Sequence, residues 1–256
     1  MKNIAIITGA SSGMGKELAI QISKEYKFDE LWAISRDIVK LEALKEVVKC
    51  PIKAISLDLT QNDSFSEYSR ILSTEKPNVV FLANCSGYGK FGNYEDIPVS
   101  ESMGMIDLNC KALVMTTELT LPYMKSGAKI IQLDSLSAFQ PVPYLNVYAA
   151  SKAFVLSYSR ALNAELKNRN IKVMAVCPGW VKTDFFNRAT ATNKNAITYF
   201  NVMYEAKDVI KTAIKDLKKG KDLSIHGFKV KMQVLLVKHL PHKLVMKIWL
   251  KQQNHT

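Results

Sequence analysis

The stretch Ile4-Ala5-Ile6-Ile7-Thr8-Gly9-Ala10-Ser11-Ser12-Gly13-Met14-Gly15-Lys16-Glu17 runs four apolar residues into a glycine-rich turn and then into a helical pattern. Three motifs compete for it. A P-loop, G-x-x-x-x-G-K-[ST], would need glycine where Ala10 stands and Ser or Thr where Glu17 stands. Gly9-Ala10-Ser11-Ser12-Gly13 does spell the G-x-S-x-G nucleophile elbow, but on a first strand it would lack the strands and oxyanion loop expected before it. The four histidines are His226, His239, His242 and His255. The chain before them therefore has no imidazole for a Ser-His-Asp hydrolase or a His-ligated catalytic zinc, and no metal site is expected. A dinucleotide-binding turn remains. In it, glycines let the backbone approach a pyrophosphate while the helix N-terminus supplies N–H groups and positive potential.

Outward from this turn, short apolar runs recur at Ile4–Ile7, Leu31–Ile34, Lys53–Leu57, Val79–Leu82, Lys129–Leu133 and Lys172–Val176. Between them, Glu17–Tyr26, Val39–Val48, Ser64–Leu72, Met103–Met124 and Tyr148–Arg169 carry apolar residues at spacings of three and four. Strands alternating with helices predict an α/β fold with a doubly wound parallel sheet and helices on both faces. The 256 residues, 48% of them hydrophobic, suit one such domain over 1–225 followed by an extension over 226–256. The cysteines, Cys50, Cys85, Cys110 and Cys177, are scattered without a C-x-x-C and read as structural thiols of a reducing compartment. The apolar run after Met1 is interrupted too soon by glycine for a signal sequence, and nothing approaches a membrane-spanning length; a cytoplasmic location is expected.

Tyr148-Ala149-Ala150-Ser151-Lys152 stacks a phenol and an ammonium one turn apart on a helix face. Alone the pair means little. With Thr8-Gly9-x-x-x-Gly13-x-Gly15, Asn84-Cys85-Ser86-Gly87, Asn109, Ser135 thirteen residues before Tyr148, and Pro178-Gly179-Trp180-Val181-Lys182-Thr183, the chain from about Lys2 to Asp184 resembles the classical short-chain dehydrogenase/reductase (SDR) family. The resemblance implies a Rossmann-type fold and an oxidoreductase interconverting a secondary alcohol and a ketone with a nicotinamide dinucleotide. It implies catalytic roles for Asn109, Ser135, Tyr148 and Lys152. It also implies cofactor contacts from Gly9, Ser11, Ser12, Gly13, Met14, Gly15, Asp58, Leu59, Asn84, Tyr148, Lys152, Pro178, Gly179, Val181 and Thr183. Two features depart from the pattern: Cys85-Ser86 replaces the middle of an Asn-Asn-Ala-Gly motif, and Asp134 stands where a second serine is common.

The chemistry can be argued without the name. Ketone reduction needs a proton donor at the oxygen. Tyrosine titrates near 10, and lowering that by about 3 units takes about 4 kcal/mol. An ammonium about 5 Å away at an effective dielectric near 20 supplies about 3 kcal/mol and an oxidised nicotinamide ring adds more, so Lys152 together with the cofactor is expected to depress Tyr148. By the resemblance, Lys152 would also hold the nicotinamide ribose, Ser135 would bond the substrate oxygen, and Asn109 would complete a proton relay through water to Lys152. A non-catalytic dinucleotide sensor or scaffold with the same fold is the alternative.

The second strand ends Ala33-Ile34-Ser35-Arg36, with no carboxylate for a ribose 2′-OH and a guanidinium fit for a 2′-phosphate, so NADP(H) is expected over NAD(H). The stretch 184–208 reads as irregular, and the resemblance implies that it forms a lid over the substrate; its Phe185, Phe186, Tyr199, Phe200, Val202, Met203 and Tyr204 point to a small lipophilic alcohol or ketone, such as a hydroxysteroid or fatty-acyl derivative. The formal charge of +12 divides unevenly: 223–256 holds Lys229, Lys231, Lys238, Lys243, Lys247 and Lys251 and no acidic residue. That tail reads as two short amphipathic helices broken at Pro241, serving as a peripheral membrane contact, a subunit contact or a flap over the pocket. Nucleic acid is not expected, because no recognition motif accompanies the lysines. A homo-oligomer, dimer or tetramer, is.

Overall fold

The computed structural model describes residues 1–255. Its order begins β1 (Asn3–Thr8), α1 (Gly13–Glu25), β2 (Glu30–Ser35), α2 (Ile38–Glu42), β3 (Ile52–Ser56), α3 (Asn62–Glu75) and β4 (Asn78–Asn84). It continues with α4 (Val99–Ile106), a π turn (Asp107–Lys111), α5 (Ala112–Thr120), β5 (Lys129–Leu133), α6 (Asn146–Glu165) and β6 (Lys172–Val176). The last part holds β7 (Trp180–Lys182), α7 (Phe185–Ala189), β8 (Met203–Glu205), α8 (Ala206–Lys218), β9 (Leu223–Ser224), α9 (Phe228–His239) and α10 (His242–Gln252).

Seven parallel strands stand in the order β3-β2-β1-β4-β5-β6-β9. Strand order reverses between β1 and β4, and their C-terminal ends open a crevice there, the usual ligand position in a doubly wound sheet. The alternation of side chains along β1 explains the two layers. Ala5 and Ile7 pack with α1 and α8 through Leu18, Ile22, Val209 and Ala213. Ile4 and Ile6 pack on the opposite face with Phe65, Tyr68, Leu72 and Leu162 of α3 and α6. Because both faces are covered, the strands read as continuous apolar runs.

All six strands expected from the sequence form. The seventh, β9, was not expected, being two residues long, and neither was the small parallel pair β7–β8. The helix expected over Val39–Val48 stops after α2 and continues as a 3₁₀ turn, Ala43–Glu46. The one expected over Met103–Met124 starts at Val99, and its middle is the π turn, in which the Ala112 N–H bonds to Asp107 O. The segment 184–208, expected to be irregular, contains α7 and β8.

The C-terminal helices dock onto this body. Val230, Val234, Val237 and Val245 are buried. The Trp249 indole donates to Pro143 O at 3.0 Å, and Gln253 Oε1 accepts the backbone N–H groups of Thr198 and Tyr199 at 2.9 and 3.0 Å. His255 stacks on Tyr144 with ring centroids 4.0 Å apart.

Candidate active site

Two adjoining concavities occupy the C-terminal edge of the sheet. The larger, a groove of about 750 Å³, follows the β1–α1 turn and is lined by Gly9, Ser11, Ser12, Gly13, Met14, Gly15, Ser35, Arg36, Asp58 and Leu59. The turn is shaped for close approach. A Cβ at Gly15 would lie 2.2 Å from the Gly9 carbonyl oxygen, and one at Gly9 (φ +66°) would lie 2.8 Å from the backbone of Cys85 and Ser86. The Ser12 side chain does not cap α1, and no acidic residue sits in its first turn, so the helix offers its N–H groups to the groove. Both features fit a pyrophosphate.

At the far side, Arg36 follows β2 and is exposed. Asp37, the nearest carboxylate in sequence, accepts the Lys40 N–H at 3.0 Å as the cap of α2, and that bond holds it below its ordinary range. Against the cost of burial, the N–H and hydroxyl of Thr60, at 3.0 and 2.8 Å, hold Asp58 low and therefore charged.

The smaller cavity, about 120 Å³, is lined by Ser135, Tyr148, Pro178, Gly179, Val181 and Thr183. Met14 belongs to both concavities, as does Thr183. Tyr148 is half-buried. Its ring packs on Phe185 with centroids 5.5 Å apart, and Gly89 passes beneath it, where a Cβ would lie 2.9 Å from Tyr148 Cδ2. Ser135 Oγ accepts the Ser137 N–H at 3.2 Å, which leaves its own proton free to donate. Behind them Lys152 is buried and donates to Leu133 O at 2.8 Å, its Nζ 5.8 Å from the Tyr148 ring centroid.

The protein's own groups do not by themselves lower the Tyr148 phenol. Burial pushes the Tyr148 phenol up, Ser135 lowers it, and Asp134 raises it further. Lys152 is itself held below its ordinary value by burial, with Asp134 opposing. Burial of the phenol thus sets the direction of its shift, and Lys152 is not among the groups that move it. Tyr148 is a neutral acid in this arrangement.

Asn109 is fixed by several bonds, whereas Asn84 lies away from its expected place. Asn109 Oδ1 accepts the Tyr88 N–H at 3.0 Å, while its Nδ2 donates to Tyr88 O at 2.9 Å and Ser151 Oγ at 3.0 Å. These bonds tie the loop after β4 to the π turn and α6, and they leave one Oδ1 lone pair unused. Asn84 does not line the groove. Its amide is spent beneath the sheet on Thr116, Thr117 and Gln132.

The sequence reading missed much of the small cavity's wall: Ser137, Gln140, Val142, Trp180, Trp249 and Gln252. The signal for the last two was the spacing of Val245, Trp249 and Gln252 on one face of α10. Among the lid aromatics, Phe185, Phe186 and Tyr199 line the cavity. Phe200 backs them through edge contacts with Trp180 and Phe186, whereas Tyr204 packs beside His226 on another part of the core. Among the described residues, no three His, Cys, Asp or Glu side chains converge as a metal site requires.

Asp134 is the least expected member. It is buried, one oxygen accepts from the Cys177 thiol at 3.3 Å, and the other has no partner. Burial, opposed by Lys152, pushes its carboxyl up to about 7. Between the ordinary carboxylate value and about 7 the folded state binds the extra proton, so this group makes stability fall as pH rises. Wild type should therefore lose stability from pH 5 to pH 8 relative to Asp134→Asn, by up to about 3 kcal/mol. Denaturation midpoints at both pH values measure this; parallel behaviour of the two proteins would contradict it.

Residues 3–194 match the family model described as short chain dehydrogenase. The chain is similar to the "Probable short-chain type dehydrogenase/reductase VdlC" of Helicobacter pylori, with 33% identity over 192 residues, 72% of this chain and 69% of the relative. Among solved structures it resembles a short-chain dehydrogenase from Sphingobium yanoikuyae in complex with NADPH, with TM-score 0.78, 24% identity, and coverage of 93% of this chain and 96% of that one. It also resembles the closed form of a serine dehydrogenase complexed with NADP+, with TM-score 0.75, 25% identity, and coverage of 87% and 94%.

Proposed function

The chain belongs to the short-chain dehydrogenase/reductase family of NAD(P)-dependent oxidoreductases, and on that premise we propose that it is an NADP(H)-dependent enzyme interconverting a secondary alcohol and a ketone on a lipophilic substrate. One observation carries the reading. The Tyr148 phenol and the free Ser135 proton face an aromatic-walled cavity, and this cavity shares Met14 and Thr183 with a groove shaped for a dinucleotide.

The residues at the glycine turn would hold the pyrophosphate, Asp58 and Leu59 the adenine end, and Pro178, Gly179, Val181 and Thr183 the nicotinamide end. When bound, the cofactor supplies the hydride. Ser135 donates a hydrogen bond to the substrate carbonyl, which orients it and stabilises developing negative charge. Tyr148, a neutral acid, gives that oxygen its proton. Lys152, held against Leu133 O, places positive charge behind the phenolate that results. In the oxidative direction the same phenol must first lose its proton, so alcohol oxidation should speed up with rising pH through the alkaline range while ketone reduction stays flatter near neutrality. The side-chain clamp made by Asn109 fixes the frame in which Tyr148 and Lys152 stand.

Arg36 supports the NADP(H) preference, because Asp37 is spent as a helix cap. Arg36→Ala should weaken NADPH binding by about 10- to 100-fold, the worth of a charge-assisted hydrogen bond, and NADH by far less. Fluorescence titration with both nucleotides checks this; equal losses would remove the argument. Phe185, Phe186, Trp180 and Trp249 support a lipophilic substrate, hydroxysteroid or fatty-acyl in kind, since these aromatic walls face it beside the polar tips of Ser137, Gln140, Asn201, Gln233 and Gln252. For self-association, α5 and α6 expose Met115 and Phe154 among charges of both signs, which supports a homo-oligomer.

A further inference from the structure

We propose that the outer face of α9 and α10 is a docking surface for an anionic lipid bilayer. The helix α9 is apolar on two opposite sides. Val230, Val234 and Val237, at i, i+4 and i+7, are buried against the body. Phe228, Met232, Leu235 and Leu236 form a second stripe at i, i+4, i+7 and i+8 on the other side, with Phe228 78% and Leu236 56% exposed. On α10, Val245 points in, while Leu244 and Ile248 point out. A soluble surface helix has no use for a second apolar stripe unless something covers it.

Charge identifies the cover. Five of the six lysines of this segment flank the outward stripes, while the Lys238 ammonium lies 4.9 Å from the Phe139 ring centroid, and among the described residues none of the six makes a salt bridge. No acidic residue lies anywhere in 223–256. A second copy meeting this face through a two-fold axis would set those lysines against their equivalents with no anion to separate them. Lipid headgroups supply the missing anions, and lysine stems can lie along the apolar stripe while their ammonium groups reach the phosphates. Amphipathic helices with lysines beside an apolar stripe are suited to lying in an interface. No described helix is long and apolar enough to cross a membrane, so the contact is peripheral. The same two helices wall the small cavity through Gln233, Trp249 and Gln252, which sets the lipid face over the pocket, but the docking does not depend on turnover.

Co-sedimentation of the full chain with two vesicle types tests this: phosphatidylcholine alone, and phosphatidylcholine mixed with phosphatidylserine. Binding to the mixed vesicles should be at least about tenfold stronger at low salt and should weaken as salt rises. The exposed triple variant Phe228→Ser, Leu235→Ser, Leu236→Ser should lose most of it, and Lys243→Glu with Lys247→Glu should abolish the preference for anionic lipid. Nucleotide binding should be unchanged in both, which shows that they fold. Absence of binding to mixed vesicles, or equal binding by wild type and both variants, would overturn the proposal. So would a dimer that the triple serine variant converts to monomer, since the occupant would then be a second copy.

Discussion

Tyr148→Phe is expected to lower kcat/KM for ketone reduction by about 10³-fold or more, equivalent to about 4 kcal/mol of transition-state stabilisation. The substitution removes one oxygen and little else. The ring keeps its packing on Phe185 and its close passage over Gly89, so folding and nucleotide affinity should stay near wild type. The loss should fall on kcat, because the phenol gives its proton only as the carbonyl oxygen gains charge. Steady-state kinetics beside a nucleotide titration separates this from a structural role. A variant retaining more than about a tenth of wild-type kcat/KM would mean that another group, Ser135 foremost, delivers the proton.

The second large effect is structural. Gly15→Ala should cost about 3 kcal/mol or more in stability and remove nucleotide binding. The added methyl would meet the Gly9 carbonyl oxygen at 2.2 Å and its carbon at 2.8 Å, both backbone atoms, so either the turn opens or the start of α1 moves. Both responses break the anion cradle. Gly13→Ala is the matched comparison. Its φ of +50° carries a left-handed penalty of about 1 kcal/mol, but the nearest atoms belong to the Thr183 side chain at 3.4 Å, an ordinary contact. Urea midpoints should rank wild type above Gly13→Ala and Gly13→Ala well above Gly15→Ala. A Gly15→Ala protein as stable as Gly13→Ala would show that the turn can relax.

Much of this was legible in the sequence because buried parallel strands and amphipathic helices leave different periods. Ile4–Ile7 is continuous because both its faces are covered, and the six main strands could be read the same way. Interruptions of regularity were not legible. The π turn that carries Asn109 differs from its flanking helices by one hydrogen-bond step, and nothing in Asp107-Leu108-Asn109-Cys110-Lys111 announces it. The two-residue β9 has too few residues to show a period. The candidate groups Ser135, Tyr148 and Lys152 could be picked out through the family pattern, which ties them to a strand end and one helix face. The sign of the shift on Tyr148 was not, since it follows first from the burial of the phenol itself, which no local pattern reveals, with Asp134 adding to it. The cavity wall was partly hidden for a related reason: Trp249 reaches Pro143 across the fold, and only the final packing brings them together.

The most direct test of the central claim is turnover by the wild-type protein. NADPH oxidation should be followed with a panel of lipophilic ketones that includes steroids and fatty-acyl ketones, with the alcohol product quantified in parallel. The predicted result is loss of NADPH matched one for one by alcohol formation on at least one member of the panel. Tight NADPH binding with no reduction of any ketone, and no oxidation of the corresponding alcohols at alkaline pH with NADP+, would contradict it and leave a protein that senses the dinucleotide without using it.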